Sequence, residues 1–201
     1  MRLTDERYSR DRQRHELALR FIQNEARTRT TRCWTGLTDD RIRKLYRAFV
    51  DTRAPLRRRR GKSPQQPDYF LRSRPLQRET AALGALLLVF GVVPAAPLAA
   101  AARPLPGVAR GERLCDAFEA YRRISPQAPI SFEHAVFLAT SLVAGTALRL
   151  QACRHCRALA VVDPLALRAP ACLACDRPLR LPGVPPGAAV AAGARATGAA
   201  C

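Results

Sequence analysis

The chain has 201 residues, 34 Lys and Arg against 16 Asp and Glu, and a net charge of +18. That length accommodates one proper core and a small appendage, and that charge excludes an ordinary neutral domain and points to a polyanion, nucleic acid or an anionic membrane surface. Of the charged residues, 22 of the 34 cations and 10 of the 16 acids fall in residues 1–80, so the partner surface is expected in the first half. The N-terminus is charged from Arg2 through Arg14 without an apolar run, which is not the pattern of a signal peptide, and the expected setting is the cytoplasm.

Residues 4–31 predict one helix. Thr4, Asp5 and Glu6 make a good start, since carboxylates favour the positive end of the helix dipole. Leu17, Ala18, Phe21 and Ile22, with Glu25, trace a mostly apolar face, and the opposite face is rich in arginine. Gly36 supplies a turn, and Thr38 is the expected N-cap of a second helix, 38–50, with Asp39 and Asp40 in its first turn. Ile42, Leu45, Tyr46 and Phe49 form its inner face. Arg41, Arg43, Lys44 and Arg47 form its outer one. A helix, a glycine turn and a capped basic helix make a helix-turn-helix-like region at about 21–50.

The run Arg57, Arg58, Arg59, Arg60, Gly61, Lys62 follows directly and suits phosphate contacts that give affinity without sequence information. Gly61-Lys62-Ser63 is not a nucleotide-binding loop, because Leu56 stands where that loop needs glycine and no strand leads into it.

Residues 81–102 carry no charge. Gly84, Gly91, Pro94 and Pro97 interrupt them, so a buried helix from about Gln77 to Phe90 is expected rather than a membrane span, followed by a Pro-rich connector at about 91–110. A further helix, 112–124, places Leu114, Ala117, Phe118 and Tyr121 inward. Ser131 is expected to cap another from Phe132 to about Ala144, with Val136, Phe137, Thr140 and Val143 inward and Gly145 at its end.

The most specific pattern is Cys153-x-x-Cys156, fifteen residues, then Cys172-x-x-Cys175. Doubled C-x-x-C pairs at this separation predict a Cys₄ zinc site, closed and therefore structural. Leu148 to Gln151 and Ala158 to Val162 predict a small β-ribbon, with a turn at Asp163-Pro164. His155 lies inside the first pair, where four thiolates already fill the shell. His15, His134 and His155 stand in unrelated contexts, no nucleophile–base arrangement is visible, and no enzyme is expected.

The expected architecture is mainly α: a helical DNA-binding and assembly domain over residues 1–147, a Cys₄ zinc-ribbon-like module over 148–180, and an Ala/Gly/Pro tail over 181–201 expected to be disordered. A zinc-stabilised protein-binding adaptor is the alternative.

The segments LTDDRIRKLYRAF at 37–49, PDYFL at 67–71, DAFEAYRRI at 116–124 and the doubled C-x-x-C together resemble the FlhC family, subunits of the flagellar master transcriptional activator. The resemblance implies a mostly helical chain that binds one structural Zn²⁺ through Cys153, Cys156, Cys172 and Cys175. It further implies a heterohexamer with FlhD in excess, promoter DNA as ligand, and recruitment of RNA polymerase. Relative to the family pattern, residues 94–110 read as an insertion, and Arg157 and Ala158 stand where glycines are expected.

Overall fold

The computed structural model describes residues 3–50, 64–95 and 106–179. The basic run Arg57–Lys62, residues 96–105 of the connector, and the tail from 180 onward lie outside the described residues. Six α-helices are described: α1 (Leu3–Gln23), α2 (Thr28–Thr35), α3 (Asp39–Val50), α4 (Arg74–Val89), α5 (Val108–Ile124) and α6 (Phe132–Ala144). A 3₁₀ turn at Pro67–Leu71 precedes α4, and two strands, β1 (Arg149–Ala152) and β2 (Leu159–Val162), follow α6. The chain is mainly α, as its periodicity predicts.

The single helix expected over 4–31 is two helices. The chain leaves α1 through Glu25, which adopts a left-handed φ of 58°. The Ala26 N–H donates to the Phe21 carbonyl at 2.8 Å and the Glu25 N–H to the Ile22 carbonyl at 2.9 Å. These are the two bonds of a Schellman cap, in which glycine is the usual left-handed residue. Neither glycine nor proline marks this break, so propensity alone extends the helix through it.

α2 then starts without a side-chain cap of its own. Its cap comes from α6. Glu133, only 3% exposed, accepts from the Arg27 N–H at 2.8 Å and from the Thr30 hydroxyl at 3.0 Å. A carboxylate at a helix N-terminus satisfies otherwise orphaned donors and complements the dipole.

The main core joins these helices. Leu17 and Phe21 of α1 meet Trp34 of α2, Leu83 and Leu87 of α4, Leu114, Phe118 and Tyr121 of α5, and Phe132 and Leu138 of α6. Phe132 lies edge-on to both Phe21 and Phe118, with centroids 4.9 and 5.2 Å away. Gly111 lets α5 approach α1: a Cβ there would lie 2.7 Å from Leu17 Cδ2. The buried Tyr121 donates to Glu79 at 2.9 Å, and burial followed by that carboxylate pushes its phenol pKa up. Burial likewise pushes the Cys115 thiol up to about 12.

The inner face of α6 differs from expectation. Phe132, Ala135, Leu138, Ala139 and Leu142 are buried, whereas Val136, Phe137 and Val143 are half-buried and Thr140 is exposed. Both sets have helical spacing, and the position of α6 against α4 and α5 selects between them. α5 also begins at Val108 rather than 112, and α4 at Arg74, capped by Ser73, rather than 77.

The strands pair antiparallel, with Leu150 opposite Val161. Both join the helical core, and the ribbon closes on α4 at Gly84, where a Cβ would lie 2.9 Å from Leu150 Cδ2. The ribbon base and the helices therefore share one core across residue 148, while Cys153, Ala160, Val162, Cys172 and Leu179 form a small second cluster. No helix among the described residues is long and apolar enough to cross a membrane.

Candidate metal centre and nucleic-acid interface

The two C-x-x-C segments fold into matching knuckles. In the first, the Arg157 N–H donates to the Cys153 carbonyl at 2.9 Å, and the Cys153 N–H to the Ala158 carbonyl at 2.8 Å. In the second, Asp176 donates to Cys172 at 2.9 Å, and Cys172 to Arg177 at 2.8 Å. The residue after each second cysteine is left-handed, Arg157 at φ 62° and Asp176 at φ 57°. Glycine suits such a position best. This chain forms the turn without one.

The knuckles face each other. The four Sγ atoms all lie within 4.8 Å of one another. Cys153 Sγ is 3.7 Å from Cys175 Sγ, and Cys156 Sγ is 3.5 Å from Cys172 Sγ. A disulfide needs about 2.05 Å. A tetrahedral tetrathiolate site with metal–sulfur bonds of about 2.3 Å places its sulfurs about 3.8 Å apart. The spacing thus fits one metal ion held by four thiolates, as the sequence pattern predicts.

Backbone donors prepare the sulfurs for that role. The N–H groups of Cys156 and His155 pull the Cys153 thiol down to about 6. Those of Ala174 and Cys175 lower Cys172. The Arg177 N–H lowers Cys175, but burial and the three neighbouring sulfurs together push it up to about 12. Close thiols share protons rather than ionising independently, and a cation at their centre removes that conflict. His155 stays outside the cluster, with its Nδ1 3.0 Å from the Arg177 guanidinium. His134 is likewise occupied, stacked on Tyr69 at 4.2 Å and bonded to Ser131 at 2.7 Å.

α2, Gly36 and α3 form a helix-turn-helix-like pair within 21–50, with the separate helix α2 in place of the single helix expected over 4–31. Gly36 is left-handed at φ 70° and its N–H donates to the Arg32 carbonyl. The Arg41 N–H reaches the Thr38 hydroxyl at 3.4 Å, so Thr38 acts as the cap. Ile42 is buried against Ala18 and Leu37, with Leu45 packed on that cluster.

Arg41, Arg43, Lys44 and Arg47 are all exposed. Arg43 pairs with Asp40 at 3.1 Å, and Arg41 with Asp11 of α1 at 3.5 Å. Surface pairs of this kind are worth about 0–1 kcal/mol, so either guanidinium can exchange its carboxylate for a phosphate. Arg57, Arg58, Arg59, Arg60 and Lys62, the other basic residues singled out in the sequence, lie outside the described residues. Asp11 of α1, the partner of Arg41, lies 30 residues away, and no local pattern in the sequence marks the pair.

No protein-family model matches the chain, and no curated protein matches it in sequence.

Proposed function

We propose that the chain is a FlhC-like, DNA-binding subunit of a cytoplasmic transcriptional activator, acting with FlhD at flagellar promoters. The observation that carries the proposal is the α2–Gly36–α3 pair, whose second helix buries Ile42 and leaves Arg41, Arg43, Lys44 and Arg47 exposed together. A helix so mounted enters the major groove with its cations at base edges and phosphates. In this reading the Arg57–Lys62 run adds backbone contacts.

The ion in the Cys₄ cage is zinc. Four thiolates close its tetrahedral shell, so its role is to hold the ribbon rather than to react. FlhD in excess completes the heterohexamer, and the assembly recruits RNA polymerase.

A second reading rests on a separate observation. Leu165 and Leu167, 79% and 99% exposed, stand at the tip of the loop between the strands and the second knuckle. That tip favours a zinc-stabilised adaptor that binds protein alone.

Co-expression with FlhD, metal analysis, and titration of promoter and random duplexes test both readings. The activator reading expects one zinc per chain, a stable complex, and promoter binding at least about a thousandfold tighter than random duplex at physiological salt. Equal binding to both duplexes, or none, sinks it, and retained zinc would then leave the adaptor. Iron in the purified chain would refute the zinc assignment.

A further inference from the structure

The N-terminal half of α1 overhangs the rest of the molecule. From Leu17 onward the helix buries Leu17, Ala18, Phe21 and Ile22, with Ala18 on the cluster that seats α3, whereas residues 6–10 are exposed. Between this overhang and α3 lies an open cleft of about 640 Å³ lined by Arg7, Tyr8, Arg10, Asp11, Arg14 and Arg41. Four guanidiniums therefore line the cleft with one carboxylate.

Asp11 sits 3.5 Å from Arg41, which ties the cleft to the basic face of α3. Among the described residues, Arg7 and Arg14 form no ion pair. Elsewhere on the same helix the pattern is the opposite: Arg12 pairs with Glu16, and Arg20 with Asp116 and Glu119. The arginines of α1 outside the cleft are thus paired with carboxylates, whereas the cleft holds four guanidiniums against the single carboxylate of Asp11 and keeps a net positive charge.

We infer that this cleft binds the sugar-phosphate backbone of duplex DNA, flanking the site entered by α3. Three arginines at i, i+3 and i+7 span about 10 Å of helix, which matches about three phosphates of rise on one strand. Guanidinium forks suit phosphate oxygens bidentately, and Tyr8, 74% exposed, offers a phenol beside them. In this assignment the guanidiniums meet phosphate oxygens rather than base edges, so the cleft contributes affinity and register rather than sequence choice. This inference rests on the DNA-binding reading above.

The test compares three full-length, metal-loaded proteins on promoter and random duplexes across a salt series. They are the wild type, the cleft variant Arg7→Ala/Arg10→Ala/Arg14→Ala, and the α3 variant Arg43→Ala/Lys44→Ala/Arg47→Ala. The cleft variant is expected to weaken binding to both duplexes alike and to reduce the log–log salt slope by about 2.7, at about 0.9 per phosphate contact. The variant Arg7→Lys/Arg10→Lys/Arg14→Lys keeps the charges and is expected to restore the slope.

An unchanged slope in the cleft variant, beside a reduced one in the α3 variant, overturns the cleft and leaves the DNA reading standing. A wild type that binds neither duplex overturns both. A Lys variant as flat as the Ala variant shows that charge is not the agent and overturns the cleft. So does a cleft variant that loses binding to phosphatidylserine vesicles while its DNA slope is unchanged.

Discussion

Among the described residues, three that are not glycine are left-handed, and two different kinds of support hold them. Arg157 and Asp176, at φ 62° and 57°, each close a C-x-x-C knuckle whose hydrogen bonds lie within six residues of sequence. Glu25, at φ 58°, closes the corner between α1 and α2, and the helix entered there is capped by Glu133, 106 residues from Arg27. The knuckles converge on a common centre that a metal ion can fill. The helical corner is fixed by a buried carboxylate from a distant helix. The ribbon end, whose own cluster is small, would draw its stability from an ion held by the four sulfurs, whereas the corner rests on a core shared by α1, α2, α4, α5 and α6.

The largest break of this comparison is removal of the metal. A structural zinc contributes roughly 10 kcal/mol or more, far beyond what five small buried residues supply. Chelation, or Cys172→Ser, should therefore release residues 149–179 from protection in hydrogen exchange while most helical circular dichroism survives. Full protection of the Cys153 and Cys172 amides in metal-free protein would contradict it.

Glu133→Ala comes next. It leaves the Arg27 N–H and the Thr30 hydroxyl without this acceptor in a buried place, at a cost of about 1–3 kcal/mol. The loss should appear as a lower unfolding midpoint and faster exchange across α2, with metal content unchanged. A wild-type midpoint would show that the corner is held by packing alone.

The smallest effect separates the two knuckles from each other. Arg157→Gly relieves a left-handed side chain and should stabilise by up to about 1 kcal/mol. Asp176→Gly should gain less, because Asp176 also pairs with Arg74 at the start of α4. Equal gains in thermal midpoint would mean that the Arg74 pair contributes nothing.

Much of the corner, the helices and the knuckles differs in how legible it is. Leu114, Ala117, Phe118 and Tyr121 show their buried face in spacing alone, as do Leu17, Ala18, Phe21 and Ile22. On α6 two apolar stripes compete, and Val136, Phe137 and Val143 are the less buried one. The cation cleft was half legible: the recurrence of Arg7, Arg10 and Arg14 is in the sequence, but their proximity to Arg41 is not, because it depends on how α1 crosses α3.

By itself the sequence determined which four cysteines converge, the Gly36 turn, the caps at Thr38 and Ser131, and the mainly helical character. Each of these is local: a C-x-x-C turn, a cap or a helical stripe is fixed by residues within a few positions of one another. The tertiary structure alone decided where α1 ends, which stripe of α6 is buried, and which arginines face a cleft. A residue such as Glu133 can satisfy backbone donors far away in sequence, and nothing in the local pattern around Glu25 or Arg27 records that it will.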